Sequence, residues 1–344
     1  MIRKHDMKKR LLEVSRGHGT DRTPIWLMRQ AGRYLKGYQK LRKKYSFLSL
    51  CKNPELAVEI SMEPYHEFGM DGVILFSDIM IPTEPMGVEI DFIPGPVVKA
   101  PIQTIEEVNR LRVPDAFEEL HYVMKTLRII QSEVSSETTV IGFSGCPFTT
   151  AIYLIEGKHV PHFPKVRHLM QYAPDVLHAL LEKLYATLLN YLRAQHASGA
   201  EVLQIFDSGT YLLSKEEYLT FAYPYEKKLI SELKPSVPVI LYVKETRRFI
   251  EEMKYAESSV ISIDNSMSLA EAKTCLGDNV TLQGNLNPEV LASGSRDEIH
   301  KEVALILETM GVGNHIFNLG HGVLKHTPIN NVQYLVDKVK NYVG

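Results

Sequence analysis

Along this chain, short apolar runs alternate with longer stretches of helical periodicity, and the runs share one habit: each ends in polar residues. The first, 24–28, opens with Pro24, holds Trp26, and passes straight into Arg29-Gln30-Ala31-Gly32-Arg33. Further runs lie at 72–76, 139–143, 201–206, 237–243, 259–263, 280–283 and 315–319. Ser77-Asp78, Ser144, Asp207-Ser208, Asp264, Gly284-Asn285 and Gly320-His321-Gly322 stand at the ends of six of them. Their length and apolar content predict buried strands, eight in all counting from Pro24.

The stretches between read as helices with recognisable starts and stops. Asn53-Pro54-Glu55 supplies an N-cap, a proline at the first helical position and an early acid, so a helix is predicted from there to Gly69. Over 174–198, Leu177, Leu180, Leu181, Leu184, Leu188 and Leu192 recur at helical spacing between Pro174 and Gly199; this stripe predicts core packing. Thr104 with Glu107 forms a capping-box pattern, and further helices are predicted at 117–134, 214–233, 246–257, 268–275, 296–310 and 331–342. Residues 2–16 predict an amphipathic opening helix. The alternation at 88–98, broken by Pro94-Gly95-Pro96, predicts an inserted hairpin.

Eight strands alternating with helices predict an α/β fold of the (β/α)8 TIM-barrel type, one domain over 1–344 with an N-terminal helical extension and the hairpin insertion. A doubly wound sheet would carry a glycine-rich phosphate turn after its first strand, and neither that spacing nor a P-loop occurs; nor does a fixed repeat period. In a barrel, strand carboxyl ends open on one face, so Arg29, Arg33, Asp78, Ser208 and His321 would converge there.

Composition narrows the function classes. With 344 residues and 44% hydrophobic content the chain can bury a large core. It has neither an apolar run long enough for a membrane span nor a secretory leader pattern, which predicts a soluble, cytoplasmic protein. Cys51, Cys146 and Cys275 are odd in number and widely spaced, as in a reducing compartment, and predict no metal cluster. The net charge of −2 hides an uneven spread: residues 1–50 carry 14 Lys and Arg against 3 Asp and Glu. No recognised nucleic-acid module accompanies this basic segment, which leaves a polyanionic small molecule as the better partner.

Arg cannot be deprotonated at working pH, and its planar fork pairs with carboxylates, so Arg29 and Arg33 on one bend suit an acidic ligand. Asp78 would accept from N–H donors and stabilise positive charge, while Tyr153, Ser208 and His321 would add hydrogen bonds. Asp78 and Ser208 are also residue types that cap helices, and Tyr153 beside Leu154 and Ile155 also fits a core position. His159 and His162 have a metal-like spacing but fall in a proline-broken segment, 157–165, read as a loop. Neither nucleophile elbow nor cofactor fingerprint is present, which points to chemistry in which the substrate itself is the electron sink.

The blocks Arg29 to Arg33, Leu75-Phe76-Ser77-Asp78-Ile79, Ile141 to Thr149, Gln204-Ile205-Phe206-Asp207-Ser208, Leu282-Gln283-Gly284-Asn285-Leu286 and Asn318-Leu319-Gly320-His321-Gly322 resemble, in order, the signature blocks of the uroporphyrinogen decarboxylase family. The resemblance implies a cofactor-free, metal-free homodimeric enzyme of haem biosynthesis, its active-site clefts facing each other. Such an enzyme removes carbon dioxide from the four acetate side chains of uroporphyrinogen III, giving coproporphyrinogen III. It also implies roles for residues: Asp78, Arg29 and Arg33 in catalysis, and Arg29, Gln30, Ala31, Gly32, Arg33, Asp78, Tyr153, Ser208 and His321 in holding substrate.

Four places depart from the family pattern: Gly209 where a bulky aromatic is more frequent, Asn265 where Trp is common, Glu245-Thr246 where small residues are usual, and Lys325-His326 where proline with an acid is frequent. Two rivals follow. Corrinoid-dependent methyltransferases of the same superfamily hold zinc through a His and Cys set, and Cys146 and Cys275 lack a matching His-x-Cys. A non-catalytic paralogue that binds tetrapyrroles is the other.

Overall fold

A computed structural model describes residues 9–342. Seven parallel strands form one curled sheet: β1 (Gly72–Ile74), then, after the hairpin strands β2 (Ile90–Phe92) and β3 (Pro96–Val98), β4 (Thr139–Gly145), β5 (Val202–Asp207), β6 (Val239–Val243), β7 (Val260–Ser262), β8 (Thr281–Leu286) and β9 (His315–Leu319). Spatial order is β1-β4-β5-β6-β7-β8-β9, every neighbouring pair parallel. Strands β2 and β3 pair antiparallel as the predicted hairpin.

The remaining gap, between β9 and β1, is filled by the segment predicted as the first strand. It is not a strand: only Ile25 makes a bridge, parallel to Phe317. Its hydrogen bonds explain why. Pro24 has no N–H to give, and the Ile25 N–H goes to the Asp71 carboxylate (2.9 Å). Ile25 C=O still accepts from Asp71 N–H (2.9 Å) and Pro24 C=O from Phe317 N–H (2.8 Å), so the segment closes the barrel while contributing almost no ladder. Arg22 locks this seam with two hydrogen bonds to Asp71, at 2.8 and 2.6 Å.

Inside the barrel, a buried polar layer replaces part of the aliphatic filling. Trp26 Nε1 donates to Gln283 Oε1 (2.8 Å), and Gln283 Nε2 donates to Gln204 Oε1 (3.0 Å) and Ser262 Oγ (2.9 Å). Side chains of three strands and the closing segment are thereby satisfied without water, as a buried network must be.

Helices surround the sheet much as their signals require. Pro54–Phe68 begins on the Asn53 cap and stops at left-handed Gly69; Ile105–Arg110 has its capping box; Pro174–Ala197 buries the leucine stripe. The helix predicted at 214–233 is two, Lys215–Phe221 and Tyr223–Leu233, broken before Pro224 as expected from the clash of proline with the preceding turn. Of the predicted opening helix, Arg10–Ser15 is seen, and residues 2–8 lie outside the described residues. Beyond the predicted loop with its two histidines, Pro164–Tyr172 is helical.

Candidate active site at the carboxyl ends of the strands

Arg29 is held at the barrel mouth by a bend that several partners fix. The Met28 N–H donates to Asn318 Oδ1 (2.9 Å) and the Val323 N–H to Met28 C=O (2.8 Å), tying the bend to β9 and the loop after it. Gln30 folds back, accepting from Leu27 N–H (3.0 Å) and donating to Gly72 C=O (2.9 Å). Arg29 itself adopts φ 61°, a left-handed conformation rare for a residue with a side chain. Its side chain runs against Gly322, where an added Cβ would lie 2.2 Å from Arg29 Cδ; only glycine leaves this path open.

Asp78 ends the run that begins as β1. Its Oδ1 accepts the Met80 N–H (2.9 Å), which starts the 3-10 turn Ile81–Met86. Just before it, Phe76 packs on Phe47 (5.5 Å between centroids), which packs on Phe92 of the hairpin (4.5 Å). Burial dominates, and despite the Met80 N–H and the Arg29 charge the Asp78 carboxyl is pushed up to about 6.

Tyr153 lies on the helix Pro147–Glu156 that follows β4, with Asp78, Arg29 and Tyr211 around its hydroxyl. Ser208 is the half-buried residue after β5. His321 follows β9, its ring 6.4 Å from Tyr242 at the floor of the mouth. Burial, then Arg29 and Lys244, lower its pKa to about 4. His321 is thus a neutral hydrogen-bonding ring at neutral pH.

Arg29 feels Arg33, Tyr153, Tyr242 and Asp78 together, so residues far apart in the chain meet around one space. Its surface is open to solvent although protein surrounds it closely, the condition of a side chain in an open cup; burial and Arg33 lower its pKa. Among the described residues, the side chains of Arg29, Arg33, Tyr153, Ser208 and His321 have no hydrogen-bonding partner. Most buried charges elsewhere are paired, as with Arg22 and Asp71. Unused donors at the strand ends, two of them beside a partly desolvated carboxyl, are what a site for a polyanionic ligand with N–H groups would present.

Gln30 differs from the other predicted contacts. It is fully buried, and its amide and its N–H, which donates to Leu27 C=O (2.9 Å), are all committed to the scaffold. Its structural work is to hold the bend. Ala31 and Gly32 are half-buried on that bend.

Three further mouth residues were not among the predicted contacts, although Asp264 stands at the end of one of the predicted buried runs. Lys244, directly after β6, lies over the Tyr211 ring (4.1 Å). Tyr242 forms floor with Phe206 (6.0 Å between centroids). Asp264, after β7, orders its own loop by accepting from Glu245 N–H (2.7 Å) and Ser266 N–H (3.0 Å). The usable signal for Lys244 was its place as the first polar residue after a buried run.

The departures from the family pattern fall into two groups. Gly209 and Asn265 are tightly placed: a Cβ on Gly209 would lie 2.3 Å from Ile152 Cδ1, and a Cβ on Gly320 would lie 2.6 Å from Asn265 N. Lys325 and His326 are exposed. Glu245 takes φ 63° between β6 and the helix Thr246–Tyr255.

Comparison with known proteins agrees along the length of the chain. The family model described as uroporphyrinogen decarboxylase (URO-D) matches residues 6–342. Proteins named uroporphyrinogen decarboxylase from Geobacter metallireducens (43% identical, 97% of this chain and 98% of that protein) and Trichodesmium erythraeum (41%, 96% and 95%) are among its relatives. Among solved structures, a methyltransferase from Methanosarcina mazei superposes with a TM-score of 0.82 at 22% identity over 97% of this chain and 98% of that one. A B12-independent methionine synthase from Shewanella sp. W3-18-1 does so at 0.57 and 12%, over 94% and 96%. These two likenesses establish a shared barrel and nothing about chemistry. The match of sequence over almost every residue does more: this chain belongs to the uroporphyrinogen decarboxylase family.

Proposed function

We propose that the chain decarboxylates the four acetate side chains of uroporphyrinogen III to methyl groups, yielding coproporphyrinogen III. The observation that carries this reading is the set of unpartnered donors at the carboxyl ends of the strands, with Arg29 and Tyr153 beside Asp78. Arg29 and Arg33 would clamp peripheral carboxylates, and Tyr153, Ser208 and neutral His321 would orient them. Asp78 would accept the pyrrole N–H groups of the macrocycle.

In each round a proton adds to a pyrrole ring carbon, giving a cationic ring. The bond between the acetate methylene and its carboxylate then breaks, its electron pair flows into that ring, and carbon dioxide leaves. Protonation of the exocyclic methylene and loss of the ring proton give the methyl-bearing pyrrole, so one proton is consumed per carbon dioxide released. Asp78 as an anion would stabilise the cationic ring electrostatically, in a site whose low polarity strengthens the interaction. The pyrrole supplies the electron sink, and no cofactor is part of this scheme.

We further propose that the protein acts in the cytoplasm as a homodimer. The resemblance to the family supports the dimer. Three cysteines with free thiols, and the absence among the described residues of a helix long and apolar enough to cross a membrane, fit that compartment.

The test is turnover of uroporphyrinogen III by purified protein under reducing conditions in the dark. Stepwise appearance of coproporphyrinogen III is expected. Saturable binding of the tetrapyrrole without product would favour a non-catalytic binder instead.

A further inference from the structure

Directly behind the mouth, between the sheet and the helix layer, Asp207 of β5, Glu226 of the helix Tyr223–Leu233 and Cys146 after β4 are fully buried with their ligating atoms within 4.8 Å of one another. None takes part in the chemistry above. Two carboxyl oxygens there, Asp207 Oδ2 and Glu226 Oε1, have no donor. Buried carboxylate oxygens facing each other without a proton would repel in a medium that does little to screen them.

We propose that Asp207 and Glu226 share a single proton, and that the pair acts as a positioning clamp setting the Tyr153 helix and the Ser208 loop in register at the mouth. With that one proton every group finds a partner. Tyr218 Oη donates to Glu226 Oε2 (2.5 Å), the proton on Glu226 Oε1 goes to Asp207 Oδ2, and the Thr149 hydroxyl donates to Asp207 Oδ1. Thr149 Oγ1 in turn accepts the Gly209 N–H (2.8 Å). Burial raises both carboxyls, and Glu226 the more because the Asp207 charge faces it; Glu226 therefore holds the proton. The other titratable groups facing the pair, the Cys146 thiol and the Tyr218 hydroxyl, are both held neutral by burial.

The clamp matters because of what it joins. The helix Pro147–Glu156 has no side-chain cap from its own N-cap residue, Cys146. Asp207 takes that place from the next strand: Thr149, in the first turn, donates through its hydroxyl, and its N–H and the Cys146 thiol also stabilise the anion. Asp207 C=O meanwhile accepts from Lys244 N–H (3.1 Å) and Thr210 Oγ1 (3.0 Å). Asp207 thus binds the Tyr153 helix through its carboxylate, and the Ser208 loop and the Lys244 turn through its backbone C=O. The significance given to Tyr153 and Ser208 rests on the function proposed above, whereas the shared proton does not.

The experiment compares Glu226→Gln with Glu226→Leu in the full-length protein. A glutamine amide donates to Asp207 permanently while its oxygen still accepts from Tyr218. It should keep kcat/KM within about threefold of the parent across the working pH range; leucine, which leaves Asp207 Oδ2 bare, should lose about tenfold or more. Infrared spectra of the parent minus Glu226→Gln, in heavy water at mildly alkaline pH, should show the carbonyl stretch of a protonated carboxyl. That band reads the shared proton without reference to substrate or to the fold of the leucine variant. Equal damage from Gln and Leu, no protonated-carboxyl band, or a stoichiometric metal ion found by elemental analysis with activity abolished by chelation would each overturn the proposal. If no variant or parent turns over uroporphyrinogen, the band still decides the proton while the function fails separately.

Discussion

Two strand ends in this molecule carry the same pair of residues in opposite order. After Phe76 the chain reads Ser77-Asp78; after Phe206 it reads Asp207-Ser208. With the order swapped, one carboxyl lies beside Arg29 and the other packs in the wall against Thr149, Cys146 and Glu226. Asp78 keeps a single backbone donor and the nearby Arg29 charge, and is pushed up to about 6. Asp207 is surrounded by Thr149, Cys146 and Glu226 and joins elements together. A carboxyl left short of donors beside a cation is available to a ligand, whereas one that takes its donors from neighbouring elements of the wall is committed to the fold.

The largest effect should come from exchanging these fates. Asp78→Asn is expected to fold normally and lose about a hundredfold or more in kcat, the scale for removing a preorganised electrostatic group. Steady-state rates beside circular dichroism check this, and unchanged turnover would refute the role given to Asp78. Asp207→Ala should show the reverse bias, a stability loss of roughly 2–4 kcal/mol in denaturant melts, because several buried donors lose their acceptor together.

Next in size is Gly322→Ala. The added methyl must displace Arg29, a flexible side chain, so the fold should persist while KM rises about tenfold. An unchanged KM would mean that Arg29 does not need its present path.

The pH dependence is subtler. Below about 6 Asp78 gains a proton and loses the charge that stabilises a cationic ring, so kcat/KM should fall toward acid, by about tenfold per pH unit at the limit. Stability moves the other way. The folded state holds this proton where an unfolded Asp, near 3.8, has released it; the contribution of Asp78 is full below 3.8 and is lost as pH rises through about 6. Asp78→Asn removes that loss. Its melting temperature at neutral pH should equal or exceed that of the parent, with a flatter profile between those values in a calorimetric titration.

Much of the architecture was legible because it rests on local physics. Asn53-Pro54, the capping box at Thr104, and the leucine stripe from Leu177 to Leu192 each mark a helix by their own chemistry. The seam at Pro24 to Met28 was not legible as what it is, because its missing ladder depends on Asp71, a residue remote in sequence that takes the Ile25 N–H. Gln30 was grouped with the arginines by its place in one block, yet its amide is used up by Leu27 and Gly72.

The sequence by itself determined the alternation of buried runs and helices, the polar residues that end those runs, and the family to which six ordered blocks belong. These are properties of neighbours along the chain, set by period, caps and turns. Only the tertiary structure decided which polar ends stay free. Whether Asp78 faces a cup and Asp207 a closed wall, and whether His321 is charged, depends on groups brought from other strands. Desolvation and hydrogen bonding are properties of that enclosure, not of any single residue.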